Sequence, residues 1–383
     1  MRKLKVGAVG LGRAFALMAP TLRDPRIEMV CAADTRPEAR RQFERDFGAK
    51  AFATLEDVCK SDAEVLYIAT PHQFHADQAV SACEAGKHVL VEKPMALTLA
   101  DCRRMTEAAE GNGVHVVVGH SHSFDAPIAR TRELIARGAY GRVRMITSLN
   151  YTDYLYRPRR PEELDTSRGG GAIYNQAAHQ VDVARLLGGG LVESVRALTG
   201  AWDPARPTEG AFACLLRFSG GAFASLAYSG YAHFDSDELM GWIGEGGQTK
   251  DPAAYGAARR ALQGDEAKLK SASNYGGPAF QARRAEHHPH FGPLVVSCEK
   301  ADLRPLPEGV MIYADGEKRL DALPPPGIPR AEVIDELYAA VIDGKPPLHD
   351  GRWAAATTEV LLAMLESARS GADVPLKHQV PVR

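Results

Sequence analysis

Leu4 to Val9 is an apolar strand that opens into Gly10-Leu11-Gly12-Arg13-Ala14-Phe15-Ala16. A helix is expected from there to about Arg23, and a second strand, Ile27 to Ala33, ends at Asp34. No other stretch constrains the chain as tightly as this order of strand, Gly-x-Gly turn, helix, strand and acid. The glycines let the backbone approach a pyrophosphate, and a helix start offers unpaired N–H groups to it. Asp34 lies 22 positions after Gly12, close to the spacing at which an acid accepts from a ribose 2′-hydroxyl. Gly10, Gly12, Arg13, Ala14, Phe15, Asp34 and Arg36 are the candidate dinucleotide contacts. Phe15 stands where the fingerprint has its third glycine, with Ala14 and Ala16 on either side, which predicts a slightly wider gap between helix and sheet. Asp34 beside a 2′-phosphate is repulsive, so NAD is the expected cofactor. Arg36, able to stack on adenine or pair with that phosphate, leaves NADP possible.

At 383 residues the chain suits two domains. Lys plus Arg is 46 and Asp plus Glu 48, for a formal net charge of -2. That balance gives no reason to expect nucleic acid or an anionic membrane as partner. The six cysteines are scattered without a C-x-x-C pair, as suits buried free thiols in a reducing cytosol. Met1 to Lys5 enters a strand at once, and no run approaches 18 apolar residues, so neither signal segment nor membrane span is expected. These features point to a cytoplasmic protein.

His88-Val89-Leu90-Val91-Glu92-Lys93-Pro94 is the first chemical segment. Val89 to Val91 read as a short buried strand, which the proline must end. Lys93 is thereby held at the carboxyl end of a strand, the edge at which open α/β sheets bind ligands. Thr70-Pro71-His72-Gln73-Phe74-His75 lies at another strand's carboxyl end. His72 and His75 read as a cap and a packing contact rather than metal ligands. Helices alternate with strands as far as Val114 to Val118, and Gly119-His120-Ser121-His122-Ser123-Phe124 then leaves the sheet, so the first domain is placed at 1–123.

The second domain, 124–383, has a β-rich texture from Val143 to Tyr151 through Val192 to Leu198, Gly210 to Phe218, Ala222 to Tyr231 and Leu239 to Ile243. The fold class is therefore α/β: a Rossmann doubly wound parallel sheet, followed by an α+β domain with a large, mostly antiparallel open sheet. Residues 246–293 read as an inserted excursion, ending in His287-His288-Pro289-His290, and 329–383 as C-terminal helices packing back on the junction. Gly169-Gly170-Gly171 precedes a helix on which Asn175, His179 and Asp182, four and three apart, share one face. Between Tyr151 and Arg160 stand Tyr151, Tyr154, Tyr156, Arg157, Arg159 and Arg160. Guanidinium groups grip carboxylates with paired hydrogen bonds, so this loop reads as a carboxylate-binding lip. It implies an anionic small-molecule substrate.

These segments resemble the Gfo/Idh/MocA family of nicotinamide-dependent oxidoreductases. The likeness rests on Gly10-Leu11-Gly12, Ala69-Thr70-Pro71 with His75, Ala85-Gly86-Lys87-His88-Val89 leading to Glu92-Lys93-Pro94, and the later Gly-Gly-Gly, His179 and Asp182. The resemblance implies that Lys93 contacts both nicotinamide ribose and substrate hydroxyl, that Pro94 is cis, and that the protein is a homo-oligomer, dimer or tetramer. It also implies cofactor contacts at Thr70, Pro71, His75 and Glu92. Family members carry aspartate where Asn175 stands, so Lys93 and His179 remain as the candidates for proton transfer. His122, Tyr156, Arg157, Arg159, Arg160 and Asn175 complete the expected substrate contacts with Lys93 and His179. The Tyr156–Leu164 loop, Gly12-Arg13-Ala14-Phe15 and Val296-Ser297-Cys298-Glu299 resemble one branch, the dehydrogenases of phthalate cis-4,5-dihydrodiol. The alternatives are a sugar, polyol or inositol dehydrogenase of the same family and a non-catalytic dinucleotide-binding sensor.

Overall fold

The computed structural model describes residues 2–278 and 285–383, which fall into two compact units. The first is made of the described residues within Met1–His120, Ala267–Ala282 and Ile328–Thr358. It runs β1 (Leu4–Val9), α1 (Arg13–Met18), β2 (Ile27–Ala33), α2 (Pro37–Phe47), β3 (Lys50–Phe52), α3 (Leu55–Cys59), β4 (Val65–Ile68), α4 (His75–Glu84), β5 (His88–Val91), α5 (Leu99–Asn112) and β6 (Val116–Val118). The strands form one sheet in the order β3-β2-β1-β4-β5-β6, every neighbour parallel. Val65, Leu66, Tyr67 and Ile68 are all fully buried, as a strand covered on both faces requires. Helix α1 stops at Met18 rather than near Arg23, because Pro20 follows and cannot continue it. A 3-10 turn, Thr21–Arg23, completes the connection. The order reverses between β1 and β4, and the crevice outside their carboxyl ends is where such a sheet takes a ligand.

The second unit is made of the described residues within Ser121–Glu266, Arg283–Gly327 and Glu359–Arg383. It contains α6 (Ala126–Ala136), β7 (Val143–Tyr151), α7 (Ala178–Gly188), β8 (Val192–Gly200), β9 (Ala211–Phe218), β10 (Phe223–Ser229), β11 (Leu294–Cys298), β12 (Ala301–Leu306), β13 (Gly309–Ala314), β14 (Glu317–Ala322) and β15 (Val374–Pro375). These strands form a sheet in the order β14-β13-β12-β11-β7-β10-β9-β8-β15. Only β7 and β10 pair in parallel within it. Helices α6 and α7 pack on one face. The other face exposes Met145, Leu198, Leu215 and Phe223, the alternation of a half-buried sheet.

Two expectations change here. Leu239 to Ile243 is not a strand: Asp235 accepts the Asp237 N–H and starts a 3-10 turn, Ser236–Met240. Four further strands, β11 to β14, lie beyond those expected from the sequence and extend the sheet on the β7 side. Among the described residues no helix is long and apolar enough to cross a membrane.

Candidate active site

In the first unit, Gly10 ends β1 at φ +88, where a Cβ would meet Thr70 Cγ2 at 2.8 Å and the Ala69 carbonyl at 2.9 Å. Only glycine fits. Gly12 is the N-cap residue of α1, and nothing lies within 4 Å of where its Cβ would be. A cradle that a side chain would fill, next to open space, suits a backbone site for a pyrophosphate. Asp34 closes this turn from the end of β2. Its Oδ2 accepts the Leu11 N–H at 2.7 Å, and its Oδ1 accepts the Arg36 N–H at 2.8 Å and the Arg36 guanidinium at 3.1 Å. Arg36 also donates to the Leu11 carbonyl at 2.6 Å. The pair expected to face the ribose is thus first a brace for the glycine turn. The Arg36 Nη2 also donates to Oδ2 at 3.2 Å, so all of the carboxylate's roughly four acceptor sites are met within the chain and a ribose hydroxyl would take the place of an Arg36 contact.

Arg13 is exposed and Ala14 half-buried at the start of α1. Phe15 corrects the sequence reading. It is fully buried, with its ring 4.8 Å from Tyr275, 6.1 Å from Phe43 and 6.4 Å from Tyr67. The space left by the absent third glycine holds aromatic core, and the Phe15 side chain is no cofactor contact.

His75 is corrected likewise. It is fully buried, with Nε2 2.9 Å from the Thr70 carbonyl and Nδ1 3.1 Å from the Pro94 carbonyl. Burial, then the nearby Lys93 ammonium, pushes its pKa down, so it stays neutral and donates to one carbonyl at a time. It ties the turn after β4 to the turn after β5. Thr70 also donates to Gln78 at 2.6 Å, beside Pro71. Glu92 accepts the Tyr67 hydroxyl at 2.6 Å, and burial pushes its carboxyl up. Lys93 follows at the end of β5, half-buried, and the Lys93–Pro94 peptide is cis.

In the second unit a 3-10 turn, His122–Phe124, lies against α7. His122 Nδ1–H donates to Asp125 Oδ2 at 2.6 Å, and the carboxylate is 1% exposed. The His122 and His179 rings meet edge to face with centroids 4.8 Å apart, and Phe291 packs 4.9 Å from one and 4.8 Å from the other. One residue on, Ser123 donates to Asp182. His179 and Asp182, three apart, therefore do share the face that meets this turn. Asn175 does not continue that face, because a π-helical turn, Ile173–Ala177, inserts an extra residue and shifts the phase. Its amide donates to the carbonyls of Gly169 and Gly171, at 3.2 and 2.9 Å.

Glu245 was not anticipated. It accepts from Asn150 at 3.1 Å and lies 3.6 Å from Arg157. Burial pushes its carboxyl up, but the Arg157 guanidinium, with the hydrogen bond from Asn150, outweighs burial and holds it below the ordinary range. Asp125, Ser123, Phe291 and Glu245 carried no motif; only Asp125, three residues after His122, had a spacing that could have marked it.

The arginine lip is corrected in part. Arg157 pairs with Asp153 at 2.9 Å and with Glu245 at 3.6 Å, the acid to which Asn150 also donates. Arg159 is spent internally: it donates to the Tyr154 carbonyl at 2.8 Å, lies 3.8 Å over the Tyr154 ring and pairs with Glu163. Arg160 pairs with Glu162 and Glu163, each at 3.3 Å. Tyr156 also turns elsewhere, donating to Asp203 at 2.9 Å under the guanidinium of Arg259. It lines a cavity of about 470 Å³ with Tyr151, Trp202, Tyr231 and Phe234. Tyr151 and Ser229 face that cavity, while their strand neighbours Asn150 and Tyr228 face the side of Phe291. His288 and His290 each meet a backbone carbonyl, of Pro324 at 2.8 Å and Ile243 at 2.7 Å.

Residues 4–120 match the family model described as the GFO/IDH/MocA oxidoreductase family, NAD-binding Rossmann fold, and residues 128–249 match the GFO/IDH/MocA C-terminal domain. The chain is 50% identical to a 1-carboxy-3-chloro-3,4-dihydroxycyclohexa-1,5-diene dehydrogenase of Comamonas testosteroni, over 96% of this chain and 95% of that one. A crystal structure of a Bordetella bronchiseptica RB50 protein assigned as a dehydrogenase superposes with a TM-score of 0.93 at 46% identity, covering 98% and 100% of the two chains. The WlbA dehydrogenase of Bordetella pertussis, solved with NADH and UDP-GlcNAcA, gives 0.69 at 26% identity over 98% and 99%.

Proposed function

The chain belongs to the GFO/IDH/MocA family as a NAD-dependent dehydrogenase, and we propose that it oxidises a secondary carbinol of a carboxylated cyclic cis-diol. The observation that carries this reading is the 50% identity, along nearly the whole chain, to a dehydrogenase named for a carboxylated dihydroxycyclohexadiene. NAD, when bound, takes up the hydride from the carbinol carbon. Gly10, Gly12 and Asp34 are the residues that would hold it. Lys93 takes the hydroxyl proton with the help of His179, and Asn175 is a hydrogen-bonding contact for the substrate. Arg157 receives the carboxylate. Because Arg159 and Arg160, like Arg157, are already paired with acids of this chain, a single carboxylate, taken by Arg157 in exchange for its part-exposed partner Asp153, fits better than the dianion of a phthalate diol. From a cyclohexadiene diol the ketone would tautomerise to a catechol, which makes the oxidation hard to reverse.

A homo-oligomer built on the open sheet face is part of the same reading, supported by exposed Met145, Leu198, Leu215 and Phe223. The six free cysteines favour a reducing, cytoplasmic setting. Reduction of NAD across a panel of carboxylated cis-diols, the phthalate 4,5-dihydrodiol, inositols and sugars tests the substrate. Preference for a neutral polyol would overturn it.

A further inference from the structure

We infer that Asp125 and His122 are positioning residues of this dehydrogenase, holding the His179 imidazole in the orientation its proton-handling role requires. The inference rests on the role proposed above for His179.

Asp125 sits at the end of the turn that carries His122, 2.6 Å from its Nδ1. That hydrogen bond places the ring proton on Nδ1 and the basic lone pair on Nε2, and it fixes the ring plane. His122 then meets His179 edge to face at 4.8 Å and 72°, while Phe291 closes on both rings. The contacts differ in kind. A half-turn of the His179 ring exchanges Nδ1 with Cδ2 and changes its shape very little, so phenyl packing barely distinguishes the two orientations. A neighbouring imidazole of fixed tautomer does distinguish them, through its own dipole. The turn cannot swing away, because Ser123 is bonded to Asp182, three residues beyond His179 on α7. Carboxylate, imidazole and second imidazole thus form a line within one unit.

Stability alone is a poor account of this line. Buried polar pairs are often no more stable than apolar side chains of equal volume, and His122, Asp125, Ser123, His179 and Asp182 are all buried. When the substrate hydroxyl gives up its proton to this machinery, the Asp125 carboxylate offsets the arriving positive charge. The carboxylate of a Ser–His–Asp triad does the same for its imidazolium.

The test pairs ring-nitrogen NMR of ¹⁵N-histidine-labelled enzyme with kinetics. Wild-type His122 is expected as the Nδ1-protonated tautomer, with a low-field Nδ1 proton. Asp125→Asn should remove that signal and shift the His179 nitrogens. It should also lower kcat at least tenfold, with KM and NAD affinity within about threefold. His122→Phe keeps the ring packing and should give the same loss of kcat, so it decides the matter if the asparagine variant fails to fold. Protonation of His122 at Nε2 in the wild type, or a folded variant with unchanged His179 signals and kcat, overturns the inference. Kinetics use whichever panel alcohol the wild type oxidises. If it oxidises none, the substrate reading fails and the NMR result alone decides this one.

Discussion

The Arg159 guanidinium lies 3.8 Å over the ring of Tyr154 and donates to the carbonyl of that same residue at 2.8 Å. An arginine whose guanidinium is spent on the ring and the carbonyl of one residue of its own loop is a strut. Arg159→Ala is therefore expected to cost about 1–3 kcal/mol in denaturant unfolding and to leave KM for a carboxylated diol within threefold. Arg157→Ala should do the reverse in kinetics, raising that KM tenfold or more. A large KM change at Arg159 with none at Arg157 would restore the wider lip.

Tyr67→Phe removes the hydroxyl that Glu92 accepts at 2.6 Å. Burial already raises the Glu92 carboxyl. A raised carboxyl in the folded state costs nothing below the unfolded pKa, where both states are protonated. Its cost grows as pH rises through the interval up to the folded pKa and is complete above it. The variant should thus be nearly as stable as wild type near pH 4 and less stable by about 1–3 kcal/mol near pH 8. Urea melts at the two pH values check the sign.

Gly171 stands at φ +81, and a Cβ on it would run into the Glu209 carboxylate. That carboxylate accepts from Ile173 N–H at 3.1 Å, from Thr208 at 3.1 Å and from Thr166. Gly171→Ala is expected to cost on the order of 1–3 kcal/mol in backbone strain alone, with the clash in addition. Glu209→Ala leaves three donors short and should lower the melting temperature while also reducing kcat, because the Gly171 carbonyl is what Asn175 holds. A Glu209→Ala protein with wild-type melting would refute this.

Asp34→Asn keeps the shape of the brace on the Leu11 N–H and removes its charge. NAD should bind about tenfold more weakly, a loss of about 1.4 kcal/mol, and discrimination against NADP should narrow by tenfold or more. Fluorescence titration with both cofactors measures each number.

The first unit was legible in the sequence because its cues are local. β1 and β2 have the bounds that their apolar runs suggest, Gly10 has the positive φ its turn needs, and Lys93 follows directly on a strand, β5, that has ended before the proline. Phe15 and His75 misled, since a motif position says nothing about tertiary neighbours such as Tyr275 or the Pro94 carbonyl. In the second unit the decisive partners are remote in sequence: Glu245 for Arg157, Phe291 for His179, Ser123 for Asp182. Spacing along a helix could suggest that His179 and Asp182 share a face. It could not reveal the π turn at Asn175, whereas the acids that pair with Arg160 stand only two and three residues on.

The most direct measurement is NAD reduction by wild type and Lys93→Met with a carboxylated cyclohexadiene cis-diol, beside myo-inositol, with NAD affinity determined for both proteins. The wild type should turn over the acid diol in clear preference to the polyol. Lys93→Met should lose at least a thousandfold in kcat while binding NAD within about threefold. A Lys93→Met enzyme that keeps most of its turnover would contradict the account at its centre.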